Sequence, residues 1–328
     1  MAMLEVRGLS TQFVTSRGIV HAVNDVSFAV GPGELVGIVG ETGCGKSATA
    51  RSIIGLVRPP GYVVGGEVRL DGLDLLRMRR EELRAIRGAR IGFVTQNPFA
   101  SLNPILSIEK QFLNVLRAHR HVSSGEAREL ALAKLRSVGI ASPERVLRGH
   151  AHELSGGMAQ RVVIAIAMIL EPRLLIADEP TTALDVTVQR QTLDLIKGLL
   201  AKERGAMLLV THDLGVVAQY SDSVVVMYAG KVVERGSVSE VFRRPAHPYT
   251  YALLRSAPQP GGTLVGLTGS VPDPIDYPAG CPFRFRCPFA FDRCVTDAPA
   301  PHPLADGRQV SCHLPMTDEV PGLAARRS

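Results

Sequence analysis

Short apolar runs of β-favouring residues alternate with helical patterns along most of the chain, and the alternation stops near residue 240. Strand-like runs at 3–6, 26–30 and 35–39 precede a glycine-rich segment, after which KSATARSIIGLV at 46–57 reads as a helix. Further runs at 91–95, 173–177, 206–210 and 222–227 have the near-continuous apolar character of strands buried on both faces. Strands of that kind with interleaved helices predict an α/β core on a mainly parallel sheet. Between 105 and 170 Ala, Leu, Arg and Glu dominate and strand signals vanish, which predicts an inserted helical subdomain. From 245 to 303 Pro and Gly break every period (PAHPY, PQPGG, VPDPIDYP), so no long helix or central strand is expected there. The pattern thus predicts a main domain over 1–240, with helices at about 98–170, and an irregular extension over 241–328. The closing PGLAARRS is expected to fray.

Composition narrows the picture. With 45% hydrophobic and 21% charged residues among 328, a disordered chain is excluded. The longest apolar run, VVIAIAMIL at 162–170, is about half of the ~18–20 residues that span a bilayer. The opening MAMLEVRGLS lacks the basic and apolar regions of a signal peptide, so a cytosolic chain that docks on a membrane protein is expected. The net charge of +6 is spread over scattered Arg rather than clustered, so a nucleic-acid partner is not expected.

Gly40-Glu41-Thr42-Gly43-Cys44-Gly45-Lys46-Ser47 fits G-x-x-x-x-G-K-[ST], directly after the strand ELVGIV and before a helix, the context a phosphate loop requires. Glycines let the backbone wrap a phosphate chain closely, and the amides from Gly43 to Ala48 are expected to point inward at a helix N-terminus. Lys46 is expected to reach the β- and γ-phosphates, and the Ser47 hydroxyl to ligate Mg²⁺. This motif alone indicates only a nucleoside triphosphate.

LSGGMAQR at 154–161 opens a second helix with Ser155 as N-cap and bare Gly156 and Gly157, a further anion site in a chain that needs one. With the phosphate loop, this segment resembles the signature of the ABC ATPase family, which caps the γ-phosphate of ATP held by a partner subunit. The resemblance covers residues 1–240 and implies an ABC-type P-loop NTPase core, with an antiparallel β subdomain and an inserted helical subdomain. It also implies that Ser155, Gly156, Gly157 and Gln160 contact the partner's nucleotide. In RLLIADEP, Asp178 and Glu179 end a buried strand; Asp178 is expected to hold Mg²⁺ through its water shell and Glu179 to accept the proton of the attacking water. Ala183-Leu184-Asp185 resembles the D-loop that crosses to the other subunit. Gln96, in FVTQNP, matches the Q-loop glutamine that touches Mg²⁺, and His212, in LLVTHD, the switch histidine at the γ-phosphate. Phe13 is the expected adenine-stacking aromatic, with His21 or a nearby apolar side chain as alternatives. Cys44 stands where the family often has Ser; packing is its expected role, with an oxidation-sensitive thiol as the alternative.

Beyond 240, RRPAHPYTYALLRSAP, GCPFRFRCPFAFDRC and the final SCH resemble the C-terminal segment of oligopeptide and dipeptide permease ATP-binding subunits. What this implies is a second, related ATP-binding subunit, two membrane permeases and an extracytoplasmic peptide-binding protein, with the chain peripheral at the cytoplasmic face of the membrane. ATP hydrolysis would then power import of oligopeptides or dipeptides. Two rival readings remain at this point: the same engine serving nickel or another small solute, and a soluble iron–sulfur ABC ATPase without transport. Cys281, Cys287, Cys294 and Cys312 are spaced C-x5-C-x6-C-x17-C, without the tight knuckle of structural zinc sites. The resemblance implies a [4Fe–4S] cluster on these four thiolates, taken as structural; Zn²⁺ and unmetallated thiols stay open.

Overall fold

Alternating side chains make Leu4–Thr15 (β1) a strand with one face inward: Leu4, Val6, Leu9 and Thr11 are buried between more exposed neighbours. Gly18–Val30 (β2) pairs with it antiparallel, Leu4 opposite Val30 and Thr15 opposite Gly18. The structure is a computed structural model that describes residues 2–182, 185–202, 204–256 and 269–314. Its contacts divide the chain into two compact units, the first made of residues up to 30, 35–76 and 210 onward, the second of 31–34 and 77–209.

In the first unit the fully buried Leu35–Val39 (β3) leads into helix Lys46–Ile53 (α1). Strands Gly61–Leu70 (β4) and Leu73–Asp74 (β5) complete an antiparallel sheet in the order β2-β1-β4-β5. The two long strands β1 and β2 exceed the short runs read from the sequence. Bulges near Leu9 and Thr11, with Gly8 and Asp25 at positive φ, interrupt the period-two signal. Strand β4 is invisible in the sequence because Gly65 and Gly66 lie at its centre.

The second unit carries Arg80–Ile86 (α2), Ile91–Val94 (β6), Pro98–Ser101 (α3), Ile108–Arg117 (α4), Ser124–Ser137 (α5), Pro143–Arg148 (α6), Gly156–Ala167 (α7), Leu174–Asp178 (β7), Val186–Lys202 (α8) and Ala206–Val210 (β8). Strand β6 runs parallel to β7, Ile91 opposite Leu174, in the order β8-β7-β6. The helical insertion expected between 105 and 170 is present as α4 to α7. Serines set its helix starts: Ser107, Ser123 and Ser155 accept from the amides of Lys110, Glu126 and Met158.

The chain re-enters the first unit with Leu214–Tyr220 (α9), Ser223–Tyr228 (β9), Lys231–Ser237 (β10), Val238–Arg243 (α10), Pro248–Ser256 (α11), Asp292–Thr296 (α12), His302–Pro303 (β11) and Gln309–Val310 (β12). The strand order here is β11-β12-β10-β9-β3, with β3 and β9 parallel. The extension thus belongs to the compact unit of the glycine-rich loop, and β12 adds to β10 with Glu234 opposite Val310. It also shares a core: Tyr249 and Phe283 are buried with Val39, Val224, Val226 and Tyr228. The ring centroids of Tyr228, Tyr249 and Phe283 lie 4.6 to 5.5 Å apart, each such pair adding about 0.5–1.5 kcal/mol.

A buried ion pair completes the tie. The Arg308 guanidinium lies 3.4 Å from the Glu234 carboxylate, both side chains fully buried. Glu234 also accepts from the amides of Ala246 and His247, at 2.9 and 3.0 Å. Between its few short elements the extension is irregular, as its composition predicts, and single anchors spaced among Pro and Gly hold it. The tail PGLAARRS lies outside the described residues. No helix of the described residues is long and apolar enough to cross a membrane.

Candidate active site

Between β3 and α1, Gly40, Gly43 and Gly45 take φ values of 152°, 82° and 102°. That region strains any residue with a Cβ. A Cβ on Gly40 would overlap the Met227 carbonyl oxygen, and one on Gly45 that of Ala22. At Gly43 the space is open and the backbone alone requires glycine. Gly45 precedes α1, whose first turn has no carboxylate to compete with an anion. Thr42 and Gly43 are exposed at the mouth of the loop. Lys46 is buried, and its Nζ donates to the carbonyls of Gly40 at 2.7 Å and Glu41 at 3.1 Å. Cys44 is fully buried against Gly40 and burial pushes its thiol pKa up, which fits packing. A glycine cradle, an ammonium at its centre and a helix start carrying the Ser47 hydroxyl suit a triphosphate with its cation.

His212 follows β8 and is exposed, while the residues beside it are pinned. The Thr211 amide donates to the Ile38 carbonyl at 3.1 Å, and Asp213 caps α9 by accepting from the amides of Gly215 and Val216. The ring is thus presented from a fixed backbone beside β3.

In the second unit the parallel pairing of β6 and β7 sets Gln96 and Glu179 at neighbouring strand ends. Gln96 Nε2 and Thr182 Oγ1 both donate to Glu179 Oε2, each at 2.9 Å. Glu179 sits at φ 49°, a conformation that costs a non-glycine residue on the order of 1–3 kcal/mol. Asp178, one residue earlier, is 1% exposed. Gln96, expected as a Mg²⁺ contact, thus holds the carboxylate expected as the base. Thr182 was not singled out from the sequence; the only available signal was a hydroxyl three residues beyond Glu179.

Ser155 caps α7, and Gly156 is exposed with no atom within 4 Å of a Cβ built there. Gln160 faces inward, 2% exposed with Nε2 lacking a hydrogen-bond partner, which separates it from that exposed glycine face. Asp185 starts α8, accepting from the amides of Thr187 and Val188, whereas Ala183 and Leu184 lie outside the described residues. Phe13 packs on Gly61, where its ring takes the space a Cβ would need. His21, its alternative, lies 3.3 Å from Gln12 Nε2, and its ring is 6.2 Å from that of Tyr277.

The expected [4Fe–4S] cluster, with its Zn²⁺ alternative, is not supported by the thiol geometry. Among the described residues no group of three or more His, Cys, Asp or Glu is placed to hold a metal ion. Cys281 and Cys294 pack into the core with Phe283, while Cys312 packs separately with Ala246, Leu304 and Val310. Burial pushes the Cys287 and Cys312 thiols up to about 11, and each feels the charge of its fellow cysteines. All four are free thiols.

Known proteins resemble the chain over both its glycine-loop part and its extension. The family model for the ABC transporter matches residues 23–182, and that for the oligopeptide/dipeptide transporter C-terminal region matches 233–294. The dipeptide transport ATP-binding protein DppD of Escherichia coli is 44% identical over 321 residues, covering 97% of this chain and 98% of its own. The oligopeptide transport ATP-binding protein AppD of Bacillus subtilis is 45% identical over 316 residues, covering 95% and 96%. Among solved structures, the dimeric ATP-binding cassette MJ0796 in a post-hydrolysis state with ADP and Pi aligns with TM-score 0.65 and 29% identity, over 72% of this chain and 99% of that one. The chain carries an ABC ATPase domain followed by the C-terminal region of that transporter group, and it belongs to the family of ATP-binding subunits of oligopeptide/dipeptide ABC transporters.

Proposed function

We propose that this chain binds and hydrolyses ATP as one half of a paired engine driving import of oligopeptides or dipeptides through separate membrane permeases. The observation that carries the pairing is the contrast between its two glycine sites. Glycines of the 40–45 loop are demanded by the chain's own backbone, whereas Gly156 is free of any internal requirement. A bare glycine at an exposed, capped helix start suits the close approach of something outside the chain, and the phosphates of ATP held by a related second subunit meet that description. The dimeric cassette with ADP and Pi among the similar structures is consistent with this.

In this reading Lys46 and the loop amides bind the phosphates, and Ser47 and Asp178 hold Mg²⁺, with Gln96 as a further contact. The metal, when bound, neutralises phosphate charge. Glu179, fixed by Gln96 and Thr182, takes the proton of the attacking water, and His212 meets the γ-phosphate. Asp185 ends the D-loop that crosses to the other subunit, and Phe13, or else His21 or a nearby apolar side chain, stacks on adenine. Residues 1–240 act as the nucleotide-binding domain and 241–328 as its extension, the whole peripheral at the cytoplasmic face of the membrane beside two permeases fed by an extracytoplasmic peptide-binding protein. A [4Fe–4S] cluster stays a separate proposal resting on the cysteine spacing and the mutual electrostatic reach of the thiols. About four irons per anaerobically purified chain would carry it, and an iron-free chain would end it.

Affinity purification of the tagged chain from solubilised membranes tests the transport role. Recovery with two polytopic proteins and a second ATP-binding subunit is the expected result; recovery solely from the cytosolic fraction contradicts it.

A further inference from the structure

The extension reaches the phosphate loop itself. Arg286, between Cys281 and Cys287, donates from Nη1 and Nη2 to the two carboxylate oxygens of Glu41, at 2.6 and 2.9 Å. Its side chain is 3% exposed and rests near the Tyr228 ring, 5.7 Å from the centroid. Tyr249, in α11, accepts the Glu41 amide proton on its hydroxyl at 2.9 Å. Tyr277 donates to the Ala229 carbonyl at 2.8 Å, and the next residue, Gly230, donates its amide to the Cys44 carbonyl at 2.9 Å. Three side chains of the extension therefore bear on the loop, two of them directly at Glu41.

Glu41 is an awkward residue for an anion site. It adjoins Gly40, and its own carbonyl accepts from the Lys46 ammonium, the group expected at the phosphates. An unpaired carboxylate there would repel a triphosphate and compete for that ammonium. A bidentate guanidinium held in a nearly dry site cancels the charge and fixes the side chain's direction. The Tyr249 hydroxyl meanwhile occupies the Glu41 amide and fixes the backbone at the loop's entry.

We propose that Arg286 and Tyr249 are positioning residues for nucleotide binding, so that the extension completes the phosphate loop and sets its affinity for ATP. This rests on the loop being the ATP site. Neither residue touches the nucleotide; each acts through Glu41. Beside this arm the Cys281 amide donates to the Cys294 carbonyl at 2.9 Å.

The test is equilibrium binding of ATP and ADP to the full purified chain in the Glu179→Gln background, with a thermal melt to verify folding. Arg286→Met is expected to weaken ATP about tenfold or more and ADP less, because the exposed Glu41 charge acts on phosphate charge. Glu41→Gln alone should change ATP binding less than threefold, and Glu41→Gln with Arg286→Met should restore most of the loss. In the hydrolysing chain the Arg286→Met defect should fall on KM and leave kcat nearly unchanged. Should Arg286→Met fail to fold, the double variant and Tyr249→Phe carry the test, the latter weakening ATP severalfold while keeping its ring in place. Unchanged ATP affinity in folded Arg286→Met and Tyr249→Phe overturns the proposal, as does a loss in the double variant equal to the sum of the singles. Absence of ATP binding in the unsubstituted chain would instead overturn the ATP-site reading.

Discussion

In the phosphate loop, positions 40, 43 and 45 accept only glycine, because a side chain would collide with a carbonyl or force an L residue into the left-handed region. In the extension the positions constrained in that way are isolated among the described residues, Gly269 and Gly307 by positive φ and Gly280 by the Cys294 carbonyl, and they form no contiguous run. The extension is held by a buried ion pair, three clustered rings and a short hairpin added to β10. Backbone conformation specifies the loop, and long-range side-chain pairing specifies the extension. The first leaves a contiguous motif in the sequence, and the second leaves scattered residues with no spacing rule. Functional geometry is thus written locally, while the structure that supports it is written across more than 200 residues.

The largest expected effect comes from breaking the extension's tie. Arg308→Met leaves Glu234 buried without its guanidinium partner and should lower stability by about 3–5 kcal/mol. Denaturant unfolding measures it, and a loss below 1 kcal/mol would mean that the ion pair does not hold the extension. Replacing Glu234 and Arg308 together by apolar residues should cost less than Arg308→Met alone, since no uncompensated charge remains.

A smaller effect comes from acid. His247 is buried, its Nδ1 accepts from the Tyr249 amide at 3.0 Å, and burial depresses its pKa to about 3. The unfolded chain takes up the proton near the ordinary value of about 6.5 while the folded chain does not. Its contribution is therefore complete above about pH 6.5 and is lost as pH falls from there toward 3, at up to about 1.4 kcal/mol per pH unit. Melting midpoints measured down to pH 5 should show this loss, and His247→Asn should remove part of the slope. A midpoint independent of pH over that range would refute the assignment.

Legibility followed the same division. GETGCGKS, LSGGMAQR, RLLIADEP and the strand runs at 35–39, 173–177 and 206–210 were readable because each combines a contiguous motif with its own strand or helix start. Strands β1, β2 and β4 were underread because bulges and central glycines hide their alternation. The Thr182 contact to Glu179 and the Arg286 contact to Glu41 were not readable: one depends on a backbone at positive φ, the other joins residues 245 positions apart. The cysteine quartet lies between these cases: its spacing suggested a metal, and the thiols pack against two apolar groups, so the cluster stands only as a proposal.

The central claim is hydrolysis of ATP with Glu179 as base, and one substitution addresses it most directly. Glu179→Gln keeps the size of the side chain and leaves an oxygen to accept from Gln96 and Thr182, but removes the basic carboxylate. The account predicts ATP affinity within about twofold of the unsubstituted chain and turnover reduced by about 10²–10⁴. Near-normal hydrolysis by Glu179→Gln would contradict it.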